Sequence, residues 1–210
     1  YIFKQSGPMT MGASQVCGFV KSDPSRATPN LQFHVQPIST DILGASRLHD
    51  FDGITPTVAN IRPSSRGEIS IISNDSRINP KIKMNYLSTQ DDRIVAAQGL
   101  KLVRKIMLET KTFKRYEPEE YRPGVHITDD EELVKAGSEF TQTIFHPVGT
   151  CKMGKDDNAV VNDKLYAHGL KNLRVIDASI MPNITSGNTN APTIMIAEKG
   201  AEFILNNQTQ

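Results

Sequence analysis

The sequence has little cysteine and almost no net charge. Its 210 residues contain two cysteines, Cys17 and Cys151, which are far apart and occur in no Cys-x-x-Cys or His/Cys spacing. This pattern excludes a disulfide framework and a zinc site, and it favours a reducing compartment. The 24 basic and 23 acidic side chains leave a formal charge of +1. No long block of like charge occurs, which argues against an electrostatic nucleic-acid binder.

Long apolar runs are missing as well. The longest span only a few residues, far fewer than the roughly 18 that cross a bilayer. The opening YIFKQSGPMT lacks the basic start and apolar stretch of a signal peptide. The sequence therefore predicts no transmembrane segment and a cytoplasmic location, with peripheral membrane association as the alternative. It begins without an initiator methionine, so we expect it to be part of a longer polypeptide.

The composition is that of a globular protein, with 38% hydrophobic and 22% charged residues. Along the sequence, strand patterns come before helix patterns. Residues 16–20 and 31–35 are apolar and flank a turn-rich segment, which predicts a hairpin. Residues 39–56 show no sustained period and predict a long irregular connection, of the kind that often forms a lid. Residues 57–62 and 67–73 flank the turn PSSR and predict a second hairpin.

Two amphipathic helices are predicted in the middle of the chain. The first begins at Ser88 or Thr89, has acidic residues in its first turn, and keeps helical spacing of apolar residues until Thr110. The second begins at the capping-box sequence TDDE, residues 128–131, and runs to about Thr143.

The last third of the chain has a different pattern. Residues 173–177, LRVID, predict a buried strand that ends in an acid. Residues 191–205 predict an apolar helix with Pro192 in its first turn, where the missing N–H of proline costs nothing. A strand, an irregular turn and a helix in this order are typical of nucleotide-binding domains.

Five histidines are the candidate acid/base groups: His34, His49, His126, His146 and His168. A lone histidine is more often structural than catalytic, and only His146 has surroundings that favour a functional interpretation. The sequence contains neither a G-x-S-x-G elbow nor an H-E-x-x-H pair. The serine-hydrolase and zinc-peptidase templates are therefore excluded.

Two polar segments are the candidates for a site. In TIFHPVGTCKMG the proline after His146 forces an extended backbone, and two glycines allow close approach of a flat or bulky group. In GNTNAP, residues 187–192, backbone N–H groups lead into a helix N-terminus and suit a negatively charged group. A well-packed turn and a simply capped helix are the alternatives, and spacing alone does not choose between them.

Three segments in order resemble the C-terminal signature of the glucose–methanol–choline (GMC) oxidoreductases, FAD-dependent enzymes that oxidise alcohols. They are FHPVGTCKMG, LKNLRVIDASIMP and SGNTNAPTIMIAEKGAEFI. Upstream, NLQFHVQP, IRPSSRGEISI and NYLSTQDD are similar to segments of the substrate domain in the choline and aliphatic-alcohol dehydrogenase branch. The resemblance covers nearly the whole chain.

This resemblance implies roles for individual residues. The active-site histidine of the family falls on His146 and its hydrogen-bonding partner on Asn188. A histidine suits acid/base work on a hydroxyl, and an amide suits the orientation of an alkoxide. The resemblance also implies a set of positions that border the flavin: Asp177 and Ala178 by the diphosphate and ribityl region, and Thr189, Asn190 and Thr193 by the isoalloxazine ring.

The resemblance implies an α+β fold. Residues 1–160 would form an antiparallel-sheet substrate-binding domain with flanking helices, and residues 161–210 would add a strand and a helix to an FAD-binding domain. The sequence lacks the G-x-G-x-x-G turn that holds the FAD pyrophosphate. We therefore expect FAD to be held mostly by an N-terminal portion of the same enzyme, and the 210 residues alone to be inactive.

The implied partners are that FAD-binding portion and a small primary alcohol. The alternative is a non-catalytic substrate-domain module that binds a small molecule or a partner chain without redox activity.

Overall fold

The computed structural model describes residues 10, 12, 14, 16–41 and 47–207. The chain divides into two compact units, unit 1 with residues 1–60 and 89–142, and unit 2 with residues 61–88 and 143–210. Residues 42–46 of the predicted irregular connection, and the start of the chain at Tyr1, lie outside the described residues. The domain boundary expected at residue 160 stays a prediction.

Unit 1 contains a three-stranded antiparallel sheet. Its strands follow one another in the order β1 (Val16–Val20), β2 (Leu31–Gln36) and β3 (Thr55–Asn60). Val20 pairs with Leu31, and Gln36 pairs with Thr55. The first predicted hairpin is confirmed, because two apolar segments joined by a turn pair with each other locally.

Both predicted helices of unit 1 are confirmed. Helix α1 (Gln90–Arg104) begins after Thr89, whose hydroxyl accepts the Asp92 N–H, and a π-helical turn (Lys105–Glu109) continues it. A short helix α2 (Lys111–Lys114) follows. Helix α3 (Asp130–Ser138) begins after Asp129, whose carboxylate accepts two N–H groups of the first turn, and it ends before the predicted residue 143.

Helix α1 packs against strand β3 and helix α3. Gly99 allows the close approach to the sheet, since a Cβ atom there would lie 3.2 Å from Val58 Cγ2. Val95 on α1 and Leu133 on α3 are almost completely buried. The unit 1 core therefore lies between the helix pair and the sheet.

The second predicted hairpin is wrong. Residues 57–60 belong to β3 and pair with β2, while β4 (Glu68–Ser70) pairs with β5 (Lys81–Lys83) in unit 2. The chain passes from one compact unit to the other after Asn60. The turn signal PSSR, residues 63–66, lies just after this crossing, within unit 2.

Unit 2 has a buried apolar cluster and one long helix, α4 (Asn190–Asn207), which confirms the predicted C-terminal helix. The buried members of the cluster are Val161, Leu165, Ile180, Met181 and Ile196. The expected strand at residues 173–177 is replaced by an isolated bridge between Tyr166 and Arg174. Within the described part of the chain, no helix is long and apolar enough to cross a membrane. The α+β fold with small antiparallel sheets and flanking helices is confirmed.

Candidate active site

A sharp backbone turn places His146. Phe145 has a φ of 64°, which is unusual for a residue with a bulky side chain, and its N–H donates to the Thr143 hydroxyl at 3.0 Å. Pro147 follows His146 and keeps its backbone extended. Left-handed non-glycine residues cost free energy and are concentrated at functional sites. The turn sets the direction in which the imidazole leaves the backbone.

The segment after His146 lies along residues 179–181. Cys151 N–H donates to the Ser179 carbonyl at 3.0 Å, and Met153 N–H donates to the Ile180 carbonyl at 2.8 Å. Gly149 has a φ of +90°, which glycine adopts without steric cost. Two of the three segments that resemble the family signature are thus held together by main-chain hydrogen bonds.

Asp177 begins a short 3₁₀ turn, Ala178–Ile180. Its carboxylate accepts the Ser179 N–H at 2.8 Å, and the turn delivers Ile180 into the unit 2 core. The Asp177 side chain remains exposed, and Ala178 is half-buried. Asp177 therefore caps this turn, and its exposed side chain can also contact a ligand.

Helix α4 positions the third segment. Ile196 is buried in the unit 2 core, and Gly200 lies so close to Ile176 that a Cβ atom would come within 2.4 Å of Ile176 Cγ2. At the start of the helix, Thr193 donates its N–H and its hydroxyl to the Thr189 carbonyl, at 3.0 and 2.6 Å. These contacts fix the position of Thr189 and of the residue before it.

The structure brings His146 and Asn188 together. The distance from His146 Nε2 to Asn188 Nδ2 is 2.7 Å. On the other side of the ring, His146 Nδ1 lies 3.0 Å from Thr189 Oγ1 and 3.5 Å from the Thr189 backbone nitrogen. Both imidazole nitrogens are therefore hydrogen-bonded, which fixes the plane of the ring.

Burial differs across these three residues. Thr189 is 6% exposed, His146 is half-buried and Asn188 is exposed. The Nδ1 side of the imidazole thus faces the protein, and Nε2 lies on the side of the exposed amide. A histidine held in this way can exchange a proton with a group that approaches from the Asn188 side.

The remaining flavin-side candidates lie close to this pair. Asn190 is exposed at the first position of α4, and Thr193 is half-buried one turn further along. The N-terminus of an 18-residue helix presents N–H groups without intrahelical acceptors and carries partial positive charge. It suits a group that becomes anionic.

An ion pair stabilises the loop that follows the His146 segment. Lys152 Nζ lies 2.9 Å from an Asp156 carboxylate oxygen, and the same carboxylate accepts the Asn158 N–H. The hydrogen bond from Lys152 holds the pKa of Asp156 below its ordinary value. The negative charge of Asp156 therefore contributes to the local fold at neutral pH.

Three of the other four histidines have ordinary partners. His34 contacts Ser14, and His168 Nε2 lies 3.1 Å from the Gly154 carbonyl. In unit 1, His49 lies between Ser39 and Asp41 and stacks on Phe51. The contact that the sequence does not reveal is the one from Thr189 to His146 Nδ1. Its only local signal is that Thr189 is adjacent to Asn188.

Comparison with known proteins supports the family inferred from the motifs. The family model described as GMC oxidoreductase matches residues 63–197. An alcohol dehydrogenase [acceptor] from Pseudomonas putida is 43% identical over 205 residues, which are 98% of this chain and 37% of that protein. An oxygen-dependent choline dehydrogenase from Proteus mirabilis is 41% identical, over 97% of this chain and 36% of that protein.

Solved structures agree with the sequence relatives. One is a formate oxidase variant from Aspergillus oryzae, whose structure concerns the effect of the mutation on FAD modification. It superposes with a TM-score of 0.87 at 25% identity, and the match covers 100% of this chain and 41% of that one. Pyridoxine 4-oxidase from Mesorbium loti gives a TM-score of 0.81 at 27% identity, covering 90% and 37%.

The chain belongs to the GMC oxidoreductase family, as its three C-terminal segments indicated. Its relatives include alcohol and choline dehydrogenases. The chain spans a little over a third of the length of these relatives, 37% and 36%.

Proposed function

We propose that this chain is the substrate-side part of an FAD-dependent enzyme that oxidises a primary alcohol, with His146 as its acid/base. The observation that carries the proposal is the 2.7 Å contact between His146 Nε2 and the exposed Asn188 amide. The names of the relatives, alcohol dehydrogenase and choline dehydrogenase, support an alcohol as the substrate class.

His146 accepts the hydroxyl proton of the alcohol at Nε2. The imidazole is suited to this task because a bare ring nitrogen accepts a proton. The substrate hydroxyl takes the place of the Asn188 amide at Nε2, on the side of the ring where the Asn188 side chain is exposed. The amide N–H then donates to the substrate oxygen as negative charge develops there.

The residues near this pair fit a flavin. A bound flavin would supply the hydride acceptor for the carbinol carbon, with an aldehyde as the product of a primary alcohol. The N-terminus of α4, with Thr189, Asn190 and Thr193, would hold the ring edge that gains negative charge. Asp177 and Ala178 would hold the ribityl and diphosphate region. The Asp177 carboxylate suits the ribityl hydroxyls, because they donate hydrogen bonds and the diphosphate does not.

The partner we propose for this chain is an N-terminal FAD-binding portion of the same enzyme. Residues 161–210 would complete that FAD domain, and residues 1–160 would form the substrate domain. Helix α4 carries exposed apolar side chains, among them Ile194 and Met195, of the kind that pack against further protein. Without that portion we expect a non-catalytic module. A cytoplasmic location stays a prediction.

The proposal is tested in the complete, FAD-loaded enzyme with His146→Ala. Loss of a positioned general base lowers kcat by at least ~10²-fold, while the visible flavin spectrum should persist. His126→Ala is the matched control, because His126 is an exposed histidine outside the proposed site. A turnover number that is unchanged in His146→Ala would remove this histidine from the chemistry.

A further inference from the structure

We propose that the ribbon formed by strands β4 and β5 carries a docking surface for the FAD-binding portion of the same polypeptide. The inference rests on the proposed function, which supplies that portion, and it adds the surface of this chain on which the portion packs. The ribbon belongs to unit 2, which also contains His146 and helix α4.

The ribbon has one apolar and one polar face. Its strands pair in antiparallel register, with Ile69 directly opposite Ile82. Side chains alternate between the two faces along a strand, so the neighbouring pairs lie on the other face, and both are polar: Glu68 with Lys83, and Ser70 with Lys81. Directly after the two strands, Ile71 and Met84 continue the alternation of polar and apolar residues.

The apolar face is exposed. Four side chains form it, and each is between 41% and 87% exposed: Ile69, Ile71, Ile82 and Met84. A two-stranded ribbon by itself is at best marginally stable in water, and packing against further structure stabilises it. Contiguous exposed apolar side chains mark surfaces that contact other protein. The ribbon therefore needs a cover that the described residues of this chain do not supply.

Arg66 ties the base of the ribbon to the loop that leads into α4. Its guanidinium donates to the carbonyls of Pro63 and Ser65 and, at 2.5 Å, to Asn183 Oδ1. Asn85, just after β5, donates its amide N–H to the Arg66 carbonyl at 2.9 Å. The loop joins the 3₁₀ turn to α4, and these two elements carry the proposed flavin contacts. The ribbon is thus fixed to the part of unit 2 that faces the FAD-binding portion in the proposed function.

A portion of the same polypeptide fits this surface better than a second copy does. A stable interface between separate chains takes about 20–30 residues on each side, whereas the ribbon offers four apolar side chains. A segment in the same polypeptide has a high effective concentration, so it needs less contact area to stay bound. The chain covers only 37% and 36% of its alcohol and choline dehydrogenase relatives, so those proteins contain ample further protein.

Cysteine labelling of the complete, FAD-loaded enzyme detects the cover. Ile71→Cys places a thiol on the apolar face, and Lys81→Cys, on the polar face of the same ribbon, is the matched control. We expect a maleimide to label residue 71 at least ~10-fold more slowly than residue 81, because a covered thiol reacts only after local opening. Mass spectrometry of the labelled peptides separates these sites from other cysteines. Equal rates in the native enzyme would overturn the inference.

Ile71→Lys tests which protein covers the face. A lysine buried there without a partner is costly, so it disfavours docking of the FAD-binding portion, and we expect the FAD dissociation constant to rise by at least ~10-fold. The molecular mass measured by light scattering should stay unchanged, and Lys81→Ala should retain FAD like the wild type.

Two outcomes with Ile71→Lys would overturn the inference. A mass that halves while FAD stays bound would assign the face to a second copy of the chain. A variant that keeps both its mass and its affinity for FAD would show that the FAD-binding portion does not pack there. A failure of the proposed function looks different, because His146→Ala would then keep full turnover whatever the labelling rates.

Discussion

The close packing of α4 on Ile176 makes Gly200→Ala an informative substitution. A Cβ atom at residue 200 would lie 2.4 Å from Ile176 Cγ2, 2.9 Å from Cδ1 and 3.2 Å from Cγ1. Carbon atoms pack best at about 3.5–4.0 Å, and Ile176 is stiff because it branches at Cβ. The helix must therefore move away from Ile176. Thr189, which directly precedes this helix, would move with it.

The size of the effect follows from two opposing terms. Alanine is about 1 kcal/mol more favourable than glycine inside a helix. Overpacking a filled site costs roughly 1–3 kcal/mol, and three contacts this short place the cost at about 3 kcal/mol. The net loss is then about 2 kcal/mol, which corresponds to a fall in Tm of roughly 4–8 °C for a chain of this size.

The assay is a double-mutant cycle with Ile176→Ala, measured by urea denaturation. Ile176→Ala removes all three crowded atoms, so Gly200→Ala should stabilise this background by about 1 kcal/mol. The coupling free energy is then about 3 kcal/mol. Ala201→Gly, at the adjacent exposed position, measures the helix propensity term alone. A Gly200→Ala variant that is more stable than the wild type, with no coupling to Ile176, would refute the packing argument.

Glu120→Gln should lower the free energy of unfolding by about 2 kcal/mol, because Glu120 holds the mostly buried Arg104 through two hydrogen bonds. Glu202→Gln, at an exposed ion pair, is the control and should change the free energy of unfolding little. Asp156→Asn should lower the urea midpoint at about pH 7, and this difference should shrink as the pH falls. The reason is that Lys152 lowers the pKa of Asp156, so its contribution is present above the unfolded-state pKa and lost as pH falls through the folded-state value. The 210-residue chain expressed alone should show no flavin band after desalting and no alcohol oxidation, and a yellow protein bleached by an alcohol would contradict this.

The sequence predicted elements well where their signals were local. Thr89 and Asp129 both cap helices that begin at the next residue. The hairpin of β1 and β2 formed because its strands are neighbours along the chain. The second hairpin failed because β3 found its partner in β2, across a longer stretch of chain. Strand partners are chosen by burial in the whole unit, and a local turn signal does not report that choice.

The candidate site also has one part that the sequence predicted and one part that only the structure shows. Resemblance to the GMC family selected His146 and Asn188 from sequence, and the structure places their side chains 2.7 Å apart. The second contact of the imidazole, to Thr189, could not be predicted. A threonine after the asparagine is equally compatible with a capped helix or a flavin contact, and only the fold aims its hydroxyl at Nδ1.

By itself the sequence determined the starts of two helices to within a residue, the first hairpin, the C-terminal helix and the family, because each depends on residues that are close along the chain or on ordered motifs. Only the tertiary structure decided the pairing of β2 with β3, the close contact of Gly200 with Ile176 and the hydrogen bonds on both sides of His146. His146 and Thr189 are 43 residues apart. Contacts over such separations arise from the packing of whole elements, which spacing in the sequence does not encode.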